Sequence, residues 1–316
     1  MSALNRRSPA SSKALAVLTR SFDENLLRRL KTLDPAEVSF AWLARAVDVL
    51  VSTVADADGV ISDLKVAGSE KSLAAYLDDS VKVLDVCNSV SAELERLRQG
   101  RLLIDFVVHL LRRSGDEEEG DKLVNRARAR DSIAEYRTRC GLGRRFDKSV
   151  SVIGDLAQGL GSPPKGKIST EEKLLRRTVY AVGAVTVFVL GAAVAVLDAS
   201  PGPVPAPEVH GDFPWADTLN GLSAAVAGKL RDRFAGETLR GADEAEALEE
   251  GVRSVCEVIE TETDDVDSRK SVDAVNALET ATREFTDRLD QLLNGVNGFF
   301  RKVLFTRNAF LQNFRR

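Results

Sequence analysis

Apolar positions recur every three or four residues along most of this chain, the spacing that lines one face of an α-helix. Leu15, Leu18, Phe22, Leu26, Leu30 and Leu33 form the first such stripe. Asp34, Pro35 and Glu37 then mark a helix start: an oxygen for free amides, a ring preset for the first turn, and a glutamate at capping-box distance. The helix predicted there turns Phe40, Trp42, Leu43, Val47 and Leu50 inward, with Gly59 a candidate break and Gly68 followed by Ser69 a stronger one. A long third helix carries Leu73, Leu77, Leu84, Val90, Leu94 and Leu97, and runs on through Ile104, Val108 and Leu111 with Gly100 a candidate interruption. The acidic run 115–121 reads as a solvated loop, and a charged helix follows from about Lys122 to Arg139.

Residues 141–169 scatter glycines and prolines and read as a linker. Ser169 and Glu172 form a second capping box, opening a helix that contains the apolar run 178–197. Segment 199–214 holds Pro201, Pro203, Pro205, Pro207 and Pro214; without amide donors it should be extended or coil. Helices should resume near Trp215, end near Gly236 and resume near Glu244. The last helix carries one long seam: Val275, Leu278, Thr282, Phe285, Leu289 and Leu292, then Val296, Phe299, Val303, Thr306 and Phe310. A coiled-coil face and an ordinary long helix packed in its own bundle both fit this seam. The pattern predicts an all-α fold: an elongated bundle of seven to nine helices, several of them long, with one apolar central or transmembrane helix. Its predicted organisation is a basic flexible start (1–20), an N-terminal helical half (21–140), the linker (141–169) and a C-terminal helical half (170–316).

The run 178–197 has no charged residue. Its twenty residues, at about 1.5 Å rise each, span roughly 30 Å, the thickness of a bilayer core. Lys165, Lys167, Lys173, Arg176 and Arg177 precede it, whereas 198–217 hold no Lys or Arg, so a spanning helix would leave the N-terminal half cytosolic. The run is nonetheless rich in Val, Ala and Gly, and the central helix of a bundle reads the same way. Membrane span and buried core helix are both consistent with it, whereas exposure to water is not.

Composition narrows the function classes. A net charge of -4 gives no global basic field for nucleic acid. Cys87, Cys140 and Cys256 lack CxxC spacing, which argues against a disulfide framework or a zinc site. With two histidines, His109 and His210, a His-rich metal site is excluded. His109 sits in an apolar helix and is expected to be core or half-buried. The first acid is Asp23, after Arg6, Arg7, Lys13 and Arg20; this suits an organellar transit peptide, although a basic tail running into the first helix accounts for it more simply.

Catalytic and cofactor motifs are not found: no phosphate loop, GxGxxG after a strand, HExxH or GxSxG. Asp78 and Asp79 are adjacent carboxylates, but helix neighbours point in different directions and do not make an acid/base pair. No cofactor or metal is expected. At the C-terminus, Phe299, Phe300, Arg301, Lys302 and Arg307 interleave aromatic and basic groups without an acid, a pattern suited to an anionic lipid surface or an acidic groove. The plainer alternative has the phenylalanines finish the core while the cations face the helix's negative end.

One block is distinctive: Tyr76, Leu77, Asp78, Asp79 and Ser80, then Lys82, Leu84, Asp85, Cys87 and Asn88. It resembles the signature YLDxSxKLLDxCN of the plant BYPASS and ROH proteins. The early run Phe22 to Leu26, the apolar run 178–197 and the stretch Val296 to Phe300 followed by Thr306, Arg307 and Asn308 are also similar in order. The resemblance implies a non-enzymatic plant protein. Its expected role is restraint of a root-derived mobile signal or, through an exocyst subunit as protein partner, secretion. It implies no active-site residues. In the signature helix, Tyr76, Leu77, Leu84 and Cys87 should pack inward while Asp78, Lys82 and Asp85 make polar contacts. The expected location is a single-pass membrane or the cytosol, with the plastid less favoured. The alternative function is an enzyme or carrier for a small hydrophobic metabolite, with the apolar helix 178–197 lining the site, which requires a closed apolar pocket of several hundred cubic ångströms with convergent polar groups.

Overall fold

The computed structural model describes residues 12–35, 38–63, 70–113, 119–140, 146–160, 169–198, 207–235, 243–260 and 268–314. Among them are nine helices and no strand: α1 (Ser12–Leu30), α2 (Phe40–Asp63), α3 (Glu70–Arg113), α4 (Glu119–Arg139), α5 (Asp147–Gly159), α6 (Thr170–Leu197), α7 (Ala216–Ala235), α8 (Asp243–Glu260) and α9 (Ser268–Phe314). The all-α bundle read from the apolar spacing is the fold observed.

Helix α6 is its centre. It contacts α1, α2, α3, α5 and α7, and every residue from Ala184 to Val194 is buried. It is the one described helix long and apolar enough to cross a membrane, and here the bundle covers it. Its start follows the sequence: Ser169 is the N-cap and its Oγ accepts from the Glu172 amide at 3.1 Å, the serine half of the expected capping box.

The long helices α3 and α9 run antiparallel. Arg112 meets Asn276 and Glu279, Arg98 pairs with Asp290 at 2.8 Å, and Ser91 donates to Asn297 at 3.2 Å, so residue numbers fall along one helix as they rise along the other. At 44 and 47 residues, each is roughly 65–70 Å long. The α9 seam is buried from Val275 through Thr306, against α2, α3 and α8, so its partner is the chain's own bundle. The Phe310 side chain lies outside the described residues.

Several expectations are corrected. Helix α2 starts at Phe40, not at Asp34: Ser39 Oγ accepts from the Trp42 amide at 3.1 Å. A distant residue helps, since Glu244 of α8 accepts from the amides of Phe40 and Ala41 at 3.1 and 3.2 Å. A carboxylate there neutralises the positive end of the helix dipole, which a local reading cannot foresee. Neither Gly59 nor Gly100 breaks its helix. Gly100 lets α3 and α4 touch instead: a Cβ there would sit 2.7 Å from Cys140 Cβ and 2.9 Å from the Tyr136 ring. The stretch read as a linker contains α5, which packs on α3 and α6 through Ile153 and Leu156, and α1 begins inside the expected basic tail. The described part of the proline-rich loop is irregular as expected, clamped by Asn220, whose amide accepts from Val209 N and donates to Val209 O. Positions 36–37, 64–69, 114–118, 161–168 and 199–206 lie outside the described residues, and with them Gly68, most of the acidic loop and three of the loop prolines.

One buried polar knot joins α1, α6 and the start of α7. Asp23, 4% exposed, accepts from Arg177 Nη2 at 2.8 Å and from Trp215 Nε1 at 3.0 Å. The Arg177 guanidinium lies 4.2 Å over the Phe213 ring, which stacks on Tyr180 at 5.0 Å. Removing Asp23 leaves the indole N–H without its acceptor and the half-buried guanidinium without its counter-charge, with only the Asp212 carbonyl at 3.3 Å to accept from it. Asp23→Ala should cost about 3–5 kcal/mol and Trp215→Phe about 1 kcal/mol in urea unfolding. Equal losses from the two would mean that only packing is being measured.

Candidate functional site

The signature block lies near the start of α3, where that helix meets the end of α9. Leu77, Ser80 and Cys87 are buried, Tyr76 and Leu84 half-buried, and Asp78, Asp85 and Asn88 exposed. The inward set expected for Tyr76, Leu77, Leu84 and Cys87 holds. Of the two adjacent carboxylates, Asp79 makes the ion pair, with Lys82 at 3.1 Å, while Asp78 points to solvent. Burial pushes the Cys87 thiol from 9.0 up to about 12. Burial, and then the Asp58 charge, raise the Tyr76 phenol above its ordinary range. Both groups therefore stay protonated and neutral around pH 7.

Helix α9 locks onto this block. Arg307 Nη1 donates to the Leu77 carbonyl and to Ser80 Oγ, the latter at 3.0 Å; Ser80 Oγ itself donates to Leu77 O at 2.6 Å. One turn away, Asp58 of α2 accepts from Thr306 Oγ1 at 3.0 Å and pairs with Lys302. Three helices thus meet through one arginine and one aspartate. Asp58 was missed in the sequence because its partners lie far along the chain and because it is one of four acids in α2, with Asp48, Asp56 and Asp63, and nothing local sets it apart.

The docking residues therefore sit differently from a free aromatic and basic surface. Phe299 is buried, Phe300 is packed against the core, and Lys302 and Arg307 are engaged within the fold. Arg301 projects outward, as does Phe305, 69% exposed, with Lys302 6.0 Å from its ring. His109 is exposed, not core or half-buried as expected, because it falls opposite the Ile104, Val107 and Val108 face of α3.

Beside the signature lies a half-open cavity of about 260 Å³. The signature residues Tyr76, Asp79 and Ser80, with Val83, form one wall. The opposite wall is a stripe of α6 at helical spacing, Arg176, Val179, Tyr180, Gly183 and Val187. Val54 of α2, Leu156 and Leu160 at the end of α5, and Phe299 and Val303 of α9 complete it. Gly183 is needed there: a Cβ would lie 2.4 Å from the Leu160 side chain. Arg176 donates through Nε to Glu172 at 2.6 Å. Among the described residues no group of His, Cys, Asp and Glu is arranged to hold a metal ion.

A thiol held protonated by the fold makes the protein sensitive to alkali. Above about pH 9 the unfolded chain releases the Cys87 proton while the folded chain keeps it, so stability falls as pH rises towards 12. The slope is up to about 1.4 kcal/mol per pH unit. Urea melts from pH 8 to 10.5 should fall less steeply for Cys87→Ala than for the parent; parallel slopes would sink this account.

Comparisons with known proteins fall on the same region. Residues 17–136 match the family described as Protein ROH1-like, a span that includes the whole signature. Protein BPS1, chloroplastic, of Arabidopsis thaliana is 28% identical over 98% of this chain and 87% of its own length. UPF0496 protein 4 of Oryza sativa subsp. indica is 34% identical and its subsp. japonica counterpart 33%, each over 75% of this chain. The chain spans about half the length of these rice relatives, 53% in each case. No solved structure matches it.

Proposed function

We propose that this chain, which belongs to the plant BYPASS/ROH family, is a non-enzymatic regulatory protein that works by docking a protein partner. The supporting observation is a set of large apolar side chains left in solvent on two neighbouring helices of the family-matched region. Leu102 (72% exposed) and Phe106 lie on α3, and Leu123 (58%) and Val124 lie on α4. Exposed apolar groups of this size are costly to hydrate and suit a protein interface. The resemblance in the signature points to two settings for such docking, exocyst-linked secretion and restraint of a root-derived signal. A protein surface on α3 and α4 favours the first, with an exocyst subunit as the partner.

The apolar helix α6 serves the bundle in this reading, not a bilayer. Its cover by five helices supports that role. A plastid location has two supports, the word chloroplastic in the name of the Arabidopsis relative and the acid-free start of the chain.

Affinity capture from plant cells with the full-length chain should recover an exocyst subunit. A Leu102→Asp, Leu123→Asp double variant, with unchanged circular dichroism, should lose it. Undiminished capture by the variant would move the docking surface elsewhere, and absence of any exocyst subunit would remove this partner. Carbonate extraction should release the protein from membranes; retention in the pellet would restore α6 as a span.

A further inference from the structure

We infer that the cavity between the signature helix and α6 is a binding site for a small amphipathic acid: a compact apolar body with one carboxylate-type head. This goes beyond partner docking and stands without it. Volume limits the body. An engineered cavity of about 150 Å³ takes one benzene, so about 260 Å³ has room for roughly ten heavy atoms. Shape and lining fix its character. Val54, Val83, Leu156, Val182, Phe299 and Val303 come from five helices and offer no polar partner to a ligand's interior. Together with the absence of a charge on α6 beyond Arg177, this leaves an apolar chamber behind a polar rim.

The head is assigned by Arg176. It occupies the first position of the α6 stripe, about 16 Å along the helix from Val187 at ~1.5 Å per residue. Its Nε is held by Glu172, which fixes the plane of the guanidinium. Its two Nη groups make no hydrogen bond among the described residues. A guanidinium anchored at Nε and open at both Nη atoms matches the two oxygens of a carboxylate. Three of the other polar groups are already used within the fold. Ser80 donates to Leu77 and accepts from Arg307, Thr186 donates to Val182, and Asp79 is paired with Lys82. The lining therefore presents one guanidinium, paired on its Nε side with Glu172, the neutral phenol rings of Tyr76 and Tyr180, and one carboxylate whose charge Lys82 offsets.

Occupancy also touches the joint described above. Ser80 lines the cavity and accepts from Arg307, and Phe299 and Val303 belong to the buried seam of α9. A bound molecule would rest on both long helices and on α6 at once.

The test uses the full chain and three probes of matched length, octanoate, octanol and octylammonium, in titration calorimetry. Octanoate should bind at least about tenfold more tightly than octanol, and octylammonium most weakly. Arg176→Gln should abolish the preference for the acid while leaving octanol binding unchanged. Gly183→Leu fills the chamber and should weaken octanoate and octanol alike by about tenfold or more, with a cooperative melt showing that it folds. If Gly183→Leu does not fold, the Arg176→Gln ratio alone decides. No binding of octanoate at millimolar concentration would overturn the site. Preference for octylammonium, or a preference for the acid that survives Arg176→Gln, would overturn the assigned head.

Discussion

A helix with no charge over twenty residues has to be covered on every side. Burying the Val, Leu and Phe side chains of α6 contributes on the order of 20 kcal/mol before the entropy of ordering is set against it. That term sets the architecture. Five helices, drawn from both sides of the chain's middle, are recruited around one rod. Segments that look independent in the sequence are interleaved, because neither α1 and α2 nor α5 and α7 could shield it alone. The polar elements are subordinate to this arrangement. Asp23, Arg177 and Trp215 tie the cover helices at the charged end of α6, where the apolar run stops and buried donors need acceptors.

The second organising element is the antiparallel pair of α3 and α9. Its inner face is a continuous apolar seam; its edges are cross-helix pairs such as Arg98 with Asp290 and Arg112 with Glu279. Exposed pairs of this kind contribute little to stability but they do fix register. Register matters because the end of α9 must bring Thr306 to Asp58 and Arg307 to the Leu77 carbonyl. The signature block is thus a piece of architecture as well as a mark of kinship. It buries Cys87 and Leu77, closes the joint with Arg307, and walls the cavity with Tyr76 and Asp79.

Helix existence and facing were legible in the sequence wherever apolar residues repeat at three or four, as in α1, the end of α3 and the α9 seam from Val275 to Thr306. Capping read correctly at Ser169, where the partner is three residues away, and failed at Asp34, where the helix start is held by Ser39 and by Glu244 from α8. Glycine was misread for the same reason. Whether Gly100 breaks a helix or lets two helices touch depends on Tyr136 and Cys140, which only the folded arrangement brings near. The site followed suit. The signature residues stood out as a block, whereas Asp58, Arg176 and Gly183 have no local mark and gain meaning only from what packs against them.

The wide separation of some contacts has a consequence for biosynthesis. Thr306 reaches Asp58 across 248 positions, and Glu244 caps α2 across 204. A ribosome adding about 5–20 residues per second needs roughly 10–50 s to supply the later partner after the earlier one has emerged. Through that interval α2 has no Glu244 at its start, and the apolar faces that α9 will cover are open. Such a chain completes its core late, and its early helices keep apolar surface open for as long as translation takes.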